Sequence, residues 1–420
     1  MTRRSSIPRE VGLDHTKDVL REGYQYIPNR KKAFQSDFFE SRILGEKTVF
    51  MSGEEAAELF YNTDYFKREG AAPKRIQKTL LGEHGVQGLD GAQHRHRKEM
   101  LMSLMSEERL QVLDQTIETY LDQYIEKWEK KKSIQLYDEA VEMIFQIACD
   151  WAGIPLEQHE IRNLAPKTAD LFESPATVGL KQFKGRNSRI QLENWAKDLI
   201  MKTREKEIHP PEKTALHVIA WHRDLEGKLE DLDAVTDDLL NIIRPMVAIS
   251  IYVAFTAHAV IHHPKEVEKL RAHDDRDAYK RFIQEVRRFY PFFPFNVARV
   301  KEDFVYRGHA FKENDQVIFD FHGTNNDLKI WNNPDLFTPD RFKDWDGSPF
   351  NFVPQGGGDY LGGHRCAGEW ITIRMMQIFL HYFVEKIDFE VPPQDLSYSM
   401  VHPPSRPKSK VVMKNVRMKI

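Results

Sequence analysis

The residues from 354 to 368 read Pro-Gln-Gly-Gly-Gly-Asp-Tyr-Leu-Gly-Gly-His-Arg-Cys-Ala-Gly, and they are the most informative stretch of this 420-residue chain. Five glycines fall within eight positions, from Gly356 to Gly363. Glycines this dense predict a backbone that takes conformations other residues avoid, or that approaches another group closely. A helical apolar pattern begins at Trp370, so Cys366 is predicted to lie at a helix N-terminus. The N–H groups and positive dipole end there favour a thiolate over a thiol.

The chain has only two cysteines, Cys149 and Cys366, which excludes a disulfide framework and a four-cysteine zinc site. Apolar neighbours predict that Cys149 is a small buried residue of the core. A zinc site made by His364 and Cys366 is disfavoured because no second pair of ligands is nearby. Spacing alone leaves open a nucleophilic cysteine paired with one of the 17 histidines. A thiolate ligand to haem iron explains the glycines best, because a flat macrocycle must lie against the backbone.

The composition predicts a soluble globular protein. Lys plus Arg is 61 and Asp plus Glu is 64, a net charge of −3, with 41% hydrophobic residues. A chain without a basic excess is not typical of nucleic-acid binders. No apolar run of the signal-peptide type follows the first 14 residues. The longest apolar stretch, 242–261, includes Arg244, Pro245 and His258, which a membrane span rarely tolerates. We expect a cytoplasmic protein without a membrane span.

The hydrophobic periodicity predicts a mainly α fold with a small β part. No linker, low-complexity run or internal repeat divides the chain, so we expect one large domain over residues 1–420. Apolar residues three and four positions apart predict helices over 107–131, 137–152, 189–206 and 233–263. Short β-branched and aromatic runs predict strands over 47–52, 317–321 and 410–413.

The cysteine loop resembles the haem-binding loop of the cytochrome P-450 superfamily. Two further segments resemble the superfamily: Glu285-Val286-Arg287-Arg288, its Glu-x-x-Arg helix, and Pro339-Asp340-Arg341-Phe342, its aromatic-proline segment. The resemblance implies a cytochrome P-450-like domain with a buried haem b and Cys366 as the axial iron ligand. It also implies that Glu285, Arg288 and Arg341 form a structural brace.

Two departures from the superfamily pattern resemble the bacterial fatty-acid peroxygenases. The long helix reads Arg244-Pro245 where the superfamily usually has an acid–alcohol pair, and the loop has the lead-in Gln-Gly-Gly-Gly-Asp and the sequence His-Arg-Cys. The segments 68–70 and 87–91, followed by His94, also resemble that group. This resemblance implies a fatty acid substrate, hydrogen peroxide in place of dioxygen, and no requirement for a redox partner.

The residues of the long helix support this on chemical grounds. A buried arginine is costly unless an anion meets it, and the guanidinium fork matches a carboxylate. Since no acid lies within a helical turn of Arg244, a fatty acid carboxylate is the expected partner; the alternative is a distant protein carboxylate. Pro245 lacks an N–H and is expected to bend the helix and open room beside the haem.

The predicted function is peroxide-driven hydroxylation of long-chain fatty acids at the α and/or β carbon. Breaking the peroxide O–O bond requires a proton to move between its two oxygens, and the carboxylate bound by Arg244 is expected to act as that acid–base group. The resemblance implies that Gln87 lies above the haem, where glutamine is usual in hydroxylating members and histidine occurs in decarboxylating ones. For an isolated glutamine, the alternative is an amide that caps a loop.

The remaining candidates concern the haem itself. His94 and Lys98, four residues apart, match a superfamily spacing for holding haem propionates; Arg68, His364 and Arg299 are weaker candidates, and Gly368 is expected to bind the cofactor. The segment 171–187 is expected to roof the substrate cavity. Three alternative functions stay open: decarboxylation to terminal alkenes, a reductase-dependent monooxygenase, and a non-catalytic haem sensor or carrier.

Overall fold

The computed structural model describes residues 7–175, 177, 179–272 and 276–419. Helices dominate this part of the chain, which confirms the mainly α prediction. The α-helices are α1 Thr16–Glu22, α2 Tyr26–Phe34, α3 Glu54–Phe60, α4 Lys74–Ile76, α5 Gly91–Ser103, α6 Glu107–Glu129, α7 Leu136–Trp151, α8 Gln158–Glu173, α9 Leu180–Arg204, α10 Ala215–Ala220, α11 Leu232–His262, α12 Pro264–Ala272, α13 Arg276–Phe289, α14 Phe321–Asn325 and α15 Glu369–His381.

The strands are short. They are β1 Phe38–Ile43, β2 Glu46–Met51, β3 Phe66–Lys67, β4 Ser133–Gln135, β5 Phe295–Val300, β6 Phe304–Tyr306, β7 His309–Phe311, β8 Gln316–Asp320, β9 Ile387–Glu390 and β10 Val412–Met418. Five of them form a sheet in the order β1-β2-β8-β5-β3, in which β2 and β8 are parallel and the other pairs antiparallel. A three-stranded sheet has the order β4-β10-β9, and β6 pairs with β7.

The long helix α11 crosses the core. The Asp231 side chain caps its N-terminus by accepting hydrogen bonds from the N–H groups of residues 233 and 234. Pro264 follows its end. Among the described helices it alone is long and apolar enough to span a membrane, yet 94% of its apolar window is buried inside the protein. A long, mostly apolar helix of this kind is the expected core helix.

The helices around α11 form the largest apolar cluster. Helices α7, α8, α9 and α15 all pack against α11. Cys149 is fully buried in α7, where burial raises the pKa of its thiol well above the usual range. This cysteine therefore has the packing role that its sequence neighbours predict.

The periodicity located the core-facing helices well and other elements less well. Helices α6, α7 and α11 lie within two residues of their predicted bounds. Helix α9 begins at Leu180 rather than residue 189, because its first two turns face solvent and carry no apolar repeat. Helix α11 continues through Pro245 as one element.

Two predictions touch residues that the structure does not describe. Of the segment expected to roof the cavity, Ala176 and Val178 lie outside the described residues. Residues 1–6 of the N-terminal stretch lie outside them as well.

Candidate active site

The glycine-rich loop packs against Tyr61. Gly356 and Gly358 have φ values of 94° and 78°, a left-handed region that favours glycine. A Cβ at Gly358 would lie 3.1 Å from the Cβ of Tyr61, and one at Gly357 would lie 2.6 Å from the carbonyl oxygen of Pro349. The loop then returns toward its own start, since the Cys366 N–H donates to the Gln355 carbonyl at 3.2 Å. The glycines thus let the loop fold tightly and present Cys366.

The surroundings of Cys366 act on its thiol in opposite directions. Helix α15 begins three residues after the cysteine, at Glu369. Burial, followed by the Glu369 carboxylate, raises the pKa of the Cys366 thiol, although the Gly368 N–H and the cations Lys98 and Arg287 act to lower it. The N–H at the helix start therefore favours a thiolate, in the predicted direction, but burial outweighs it. A metal ion bound to the sulfur would supply the missing positive charge, because a coordinating thiol is deprotonated outright.

Four side chains that can carry positive charge gather beside this loop, and we call Arg68, His94, Lys98 and His364 the cation cluster. The rings of His94 and His364 have centroids 4.0 Å apart. Lys98 Nζ donates to the Arg365 carbonyl at 2.5 Å, and His364 Nε2 lies 3.5 Å from Asp90 Oδ1. His94 and Lys98 lie on α5, Arg68 directly follows β3, and His364 lies in the glycine-rich loop.

The cation cluster is buried with little negative charge to balance it. Burial lowers the pKa of His94 to about 3, and the neighbouring His364 and Lys98 lower it further. Burial also lowers the pKa of Arg68 to about 10. The Arg68 Nε has no hydrogen-bond partner among the described residues. Burial thus disfavours the charged forms of these side chains, and an anionic group such as the two propionates of a haem would favour them.

The remaining cofactor candidates lie in two different places. The structure does not bring Arg299 into the cation cluster: on β5, its Nη2 lies 2.9 Å from Glu46 Oε2 and its Nη1 donates to the Asn314 carbonyl at 3.1 Å. Gly368 is half-buried, and a Cβ built on it meets no described atom within 4 Å. The space beside Cys366 on that side is therefore open enough for a flat group to approach the backbone.

Arg244, Asn241 and Gln87 form one chain of hydrogen bonds. The Arg244 Nη2 donates to Asn241 Oδ1 at 2.9 Å, and Asn241 Nδ2 donates to Gln87 Oε1 at 3.1 Å. The same Nδ2 donates to the Leu81 carbonyl at 2.8 Å. Gln87 lies in a 3₁₀ turn, Val86–Gly88, so the turn and the core helix are joined through Asn241. Because Pro245 has no N–H, the Asn241 carbonyl also lacks its usual helical partner.

Arg244 is a buried cation without a counter-ion. Its residue is 5% exposed, its Nε has no hydrogen-bond partner, and it forms no ion pair with any described carboxylate. Burial, followed by the Arg189 guanidinium, lowers the pKa of Arg244 to about 9, whereas Cys366 acts to raise it. Arg244 and Cys366 are therefore close enough to affect each other's charge. The arrangement suits an anion that enters from outside.

Glu285, Arg288 and Arg341 meet in the interior. Glu285 and Arg288 are fully buried, and Arg288 Nε donates to Glu285 Oε2 at 2.7 Å. The Arg341 Nε lies 3.1 Å from the same oxygen. Arg288 also donates to the carbonyls of Asn325 and Pro334 at 3.2 and 2.8 Å. The group thus joins α13 to the end of α14 and to the segment that follows it.

Sequence reasoning gave no role to Asn241, Gln355, Asp90 or Arg287. Asn241 lies three residues before Arg244, a spacing that places the two side chains on one helix face, so a signal was available. Asp90 anchors the backbone N–H groups of Arg68 and Glu69 at 2.8 Å. The contacts of Gln355 and Arg287 join segments that are far apart in the sequence, so no local sequence pattern predicts them.

Comparison with known proteins agrees with this geometry. The family model "Cytochrome P450" matches residues 258–420. The chain is similar to the solved structure of cytochrome P450EX alpha (CYP152N1) with myristic acid: 46% identity, 99% of this chain and 100% of that chain, TM-score 0.95. Cytochrome P450SP alpha (CYP152B1) in complex with (R)-ibuprophen gives 42% identity, 97% and 100% coverage and TM-score 0.94. A variant of cytochrome P450 OleT in complex with arachidonic acid is 36% identical, with 99% of this chain and 99% of that chain covered and a TM-score of 0.95.

These likenesses confirm the fold and the haem-thiolate cofactor expected from the motifs. Of the two cysteines, Cys149 is enclosed in the apolar core, which leaves Cys366 as the cysteine available to an iron. Together with the Arg-Pro sequence of α11 and the Gly-rich Cys366 loop, these likenesses show that the chain belongs to the CYP152 family of cytochromes P450, the fatty-acid peroxygenase group that its sequence motifs resemble.

Proposed function

We propose that this P450 uses hydrogen peroxide to hydroxylate long-chain fatty acids at the α and/or β carbon, with the substrate carboxylate bound by Arg244. The observation that carries the proposal is the guanidinium of Arg244, buried in α11 with an unsatisfied Nε and with no ion pair to a carboxylate among the described residues. A buried charge of this kind costs desolvation free energy unless a ligand of opposite charge neutralises it. A carboxylate is the anion whose two oxygens match its donors.

The ligands named for three similar structures support an acid as the substrate. The P450EX alpha structure is with myristic acid, the P450 OleT structure is in complex with arachidonic acid, and the P450SP alpha structure is in complex with (R)-ibuprophen. The first two are fatty acids, and all three carry one carboxyl group. The tail of a fatty acid suits the apolar residues that surround Arg244 along α11, such as Ile243, Val247 and Ala248.

The residues of α11 explain why the substrate has to complete the site. When bound, the thiolate-ligated haem iron supplies the position at which an oxidant is activated. Residues 241–249 offer no acid or alcohol, so the protein has no proton carrier there. A carboxylate held on Arg244 takes that role, holding a proton on one oxygen and returning it to the oxidant. General acid–base help of this type is worth roughly 10²- to 10⁴-fold in rate.

Anchoring the head group determines which carbon reacts. Asn241 fixes Arg244 Nη2 from one side, and burial keeps the guanidinium from following a mobile ligand. Cys366 acts to raise the pKa of Arg244, so the two groups are within electrostatic reach of each other, and we expect the carbons next to a carboxylate on Arg244 to lie nearest an iron on Cys366. Gln87 is held by Asn241 and offers an amide, which is not a proton donor in the way that an imidazolium is. This favours hydroxylation, with decarboxylation to terminal alkenes as the second product.

The direct test is product analysis with the purified holoenzyme, a C14 fatty acid and hydrogen peroxide alone. We expect α- and/or β-hydroxy acids and less alkene. A parallel incubation with a reductase, its electron donor and dioxygen, and with catalase to remove peroxide, should give no product. Product only in the second incubation would identify a reductase-dependent monooxygenase. Haem binding without turnover in either would identify a sensor or carrier.

A second substrate set separates the carboxylate from the tail. The alkane and the methyl ester of the same chain length lack the anionic head, so neither should react with peroxide. Adding a short carboxylic acid that occupies Arg244 should restore turnover of a small apolar substrate. Turnover of a plain hydrocarbon without any added acid would contradict the proposed role of Arg244. For location, the proposal is a cytoplasmic protein, which cell fractionation would check.

A further inference from the structure

The turn that carries Gln87 is held against the core helix by a buried carboxylate; we call residues 80–88 the Gln87 turn. Asp237 of α11 is 3% exposed, and its Oδ2 accepts from the His84 N–H at 2.8 Å. Gly82 has a φ of 86°, and a Cβ built on it would lie 2.1 Å from the Asp237 Cγ. Glycine alone fits such a contact, so the turn lies directly against this carboxylate.

Arg189 of α9 binds both the carboxylate and the turn. This residue is 1% exposed. Its Nη2 forms an ion pair with Asp237 Oδ1, and its Nη1 donates to the Leu80 carbonyl at 3.4 Å. The Nε lies 2.7 Å from Glu193 Oε1. Because a guanidinium presents several donors in a rigid planar fork, this one side chain holds its acceptors in a fixed relation to each other.

One face of α11 joins the Asp237 carboxylate to the site at Arg244. Asp237, Asn241 and Arg244 are four and three residues apart, so their side chains share that face. Asn241 also donates to Gln87 Oε1. We propose that Arg189 is a positioning residue for the substrate head group: by holding the Gln87 turn against α11, it fixes Gln87 relative to an acid bound on Arg244. This inference rests on the proposed role of Arg244 as the anchor of the substrate.

The charge of Arg189 keeps Asp237 able to hold the turn. Burial raises the pKa of Asp237, whereas Arg189 and the His84 N–H act to lower it. Within the described part of the chain, Arg189 is the ion-pair partner of Asp237. With a neutral side chain at position 189, the buried carboxylate would lack a counter-ion and would take up a proton. A protonated carboxyl is a weaker acceptor for the His84 N–H than a carboxylate, so the turn would loosen.

Hydrogen exchange of the Gln87 turn in the substrate-free holoenzyme measures this loosening without oxidant or substrate. Arg189→Met should speed amide exchange within the turn by roughly tenfold or more, because a buried ion pair is broken. Arg189→Lys keeps a cation beside Asp237 but lacks the fork, so its protection should be intermediate. The matched control is Glu193→Gln, which changes the third partner of Arg189 and leaves the bridge from Asp237 to Leu80. Its exchange should match that of the native protein.

Product analysis with a C14 fatty acid and peroxide measures the effect on the site. Arg189→Met should lower kcat per haem by roughly 10- to 100-fold, the loss expected when a group beside the substrate is displaced. It should also change the ratio of α-hydroxy acid, β-hydroxy acid and alkene. The KM should change little, because Arg244 still binds the carboxylate. A merely structural residue would lower the yield of holoenzyme and leave kcat per haem and the product ratio unchanged.

Gly82→Ala alters the same contact from the side of the turn and changes no charge. Its methyl group would meet Asp237, and the positive φ is unfavourable for alanine, so the turn should move away from α11. Faster exchange and an altered product ratio are expected here too. If Arg189 acts through the turn, Arg189→Met should change the product ratio less in the Gly82→Ala background than in the native protein.

Three results would each overturn the proposal: unchanged exchange of the Gln87 turn in Arg189→Met, exchange that rises equally along the whole chain, or a loosened turn with an unaltered product ratio. Should Arg189→Met fail to incorporate haem, Arg189→Lys decides, since intermediate protection supports the proposal and native protection contradicts it. Absence of turnover in the native holoenzyme would contradict the proposed function alone, because the exchange measurements still show whether Arg189 fixes the turn.

Discussion

Two buried arginines, Arg244 within α11 and Arg97 packed against it, differ in whether a carboxylate balances their charge. Arg97 donates to Asp238 Oδ2 at 2.8 Å and to two backbone carbonyls, so its charge is balanced. Within the described part of the chain, the Arg244 side chain makes one hydrogen bond, to the neutral Asn241. Breaking a buried pair leaves an uncompensated charge, whereas removing a charge that lacks a counter-ion removes a cost. The two residues should therefore respond to mutation in opposite ways.

Arg244→Met should weaken fatty acid binding by roughly 10- to 150-fold, the loss expected for one charge-assisted hydrogen-bonded contact of about 1.5–3 kcal/mol. The free energy of unfolding should stay equal or rise, because a desolvated cation without a counter-ion is removed. Spectral titration of the holoenzyme with a fatty acid measures the affinity, and denaturant unfolding measures the stability.

Arg97→Met is the matched control, since it leaves Asp238 buried without its ion pair. It should lower the free energy of unfolding by about 3–5 kcal/mol. If Arg244→Met proved as destabilising as Arg97→Met, the guanidinium would be structural and its role in binding would be contradicted.

Individual residues were predictable from the sequence where their chemistry was out of place. An arginine within an apolar helix and a cysteine among glycines both stand out without a structure. Gln355 and Arg287 do not, because a polar residue in a loop or helix is ordinary and their contacts join distant segments. Arg299 shows the converse: a cation in the right part of the chain pairs with Glu46 instead.

At the scale of elements, the junction between β8 and α14 contains a fully buried carboxyl group, that of Asp320. Asp320 ends β8 and caps α14 by accepting from the Gly323 N–H at 2.7 Å. Burial raises the pKa of its carboxyl to about 7, although the Gly323 N–H and Lys31 act to lower it. The side chain is thus kept as a neutral acid over part of the physiological range, and its ionisation costs folding free energy.

We expect the stability difference between Asp320→Asn and the native protein to depend on pH. The folded-state pKa is raised above the ordinary 3.8, so the folded state binds more protons between about pH 4 and 7, and native stability falls as pH rises through that window. The full effect is at most about 4 kcal/mol. Asparagine keeps the cap oxygen and does not titrate, so its relative stability should increase from pH 4 to pH 8. Denaturant unfolding at several pH values tests this; parallel curves would refute it.

Elements that face the core were predictable and elements that face solvent were not. Helices α7 and α11 have apolar residues on every turn that meets the interior, and their bounds follow from that repeat. The start of α9 is polar and exposed, and strands β1 and β5 alternate too briefly to be distinguished from loops. Their positions depend on pairing in the sheet, where β5 lies between β8 and β3, and that pairing is not local.

At the scale of the whole molecule, Glu285 connects parts of the chain that are far apart in sequence. Its carboxylate accepts from Arg288 Nε and Nη2 at 2.7 and 2.8 Å, from the Thr338 N–H at 2.8 Å and from Arg341 Nε at 3.2 Å. One fully buried anion thus fixes α13 against the segment that leads to the Cys366 loop. The position of the haem ligand therefore depends on a charge in another part of the fold.

Glu285→Gln should lower the free energy of unfolding by about 3–5 kcal/mol, because it turns a buried anion into an amide whose N–H groups meet the N–H groups of Arg288 and Arg341. Haem content after purification should fall with it, since the brace holds the approach to Cys366. The control is Asp198→Asn, which breaks an exposed ion pair with Lys202 on α9 and should cost less than about 1 kcal/mol. Denaturant unfolding and the absorbance ratio of haem to protein measure both effects. Equal, small losses of unfolding free energy in the two variants would show that the buried Glu285 group stabilises the fold no more than an exposed ion pair, which would contradict its role as a structural brace.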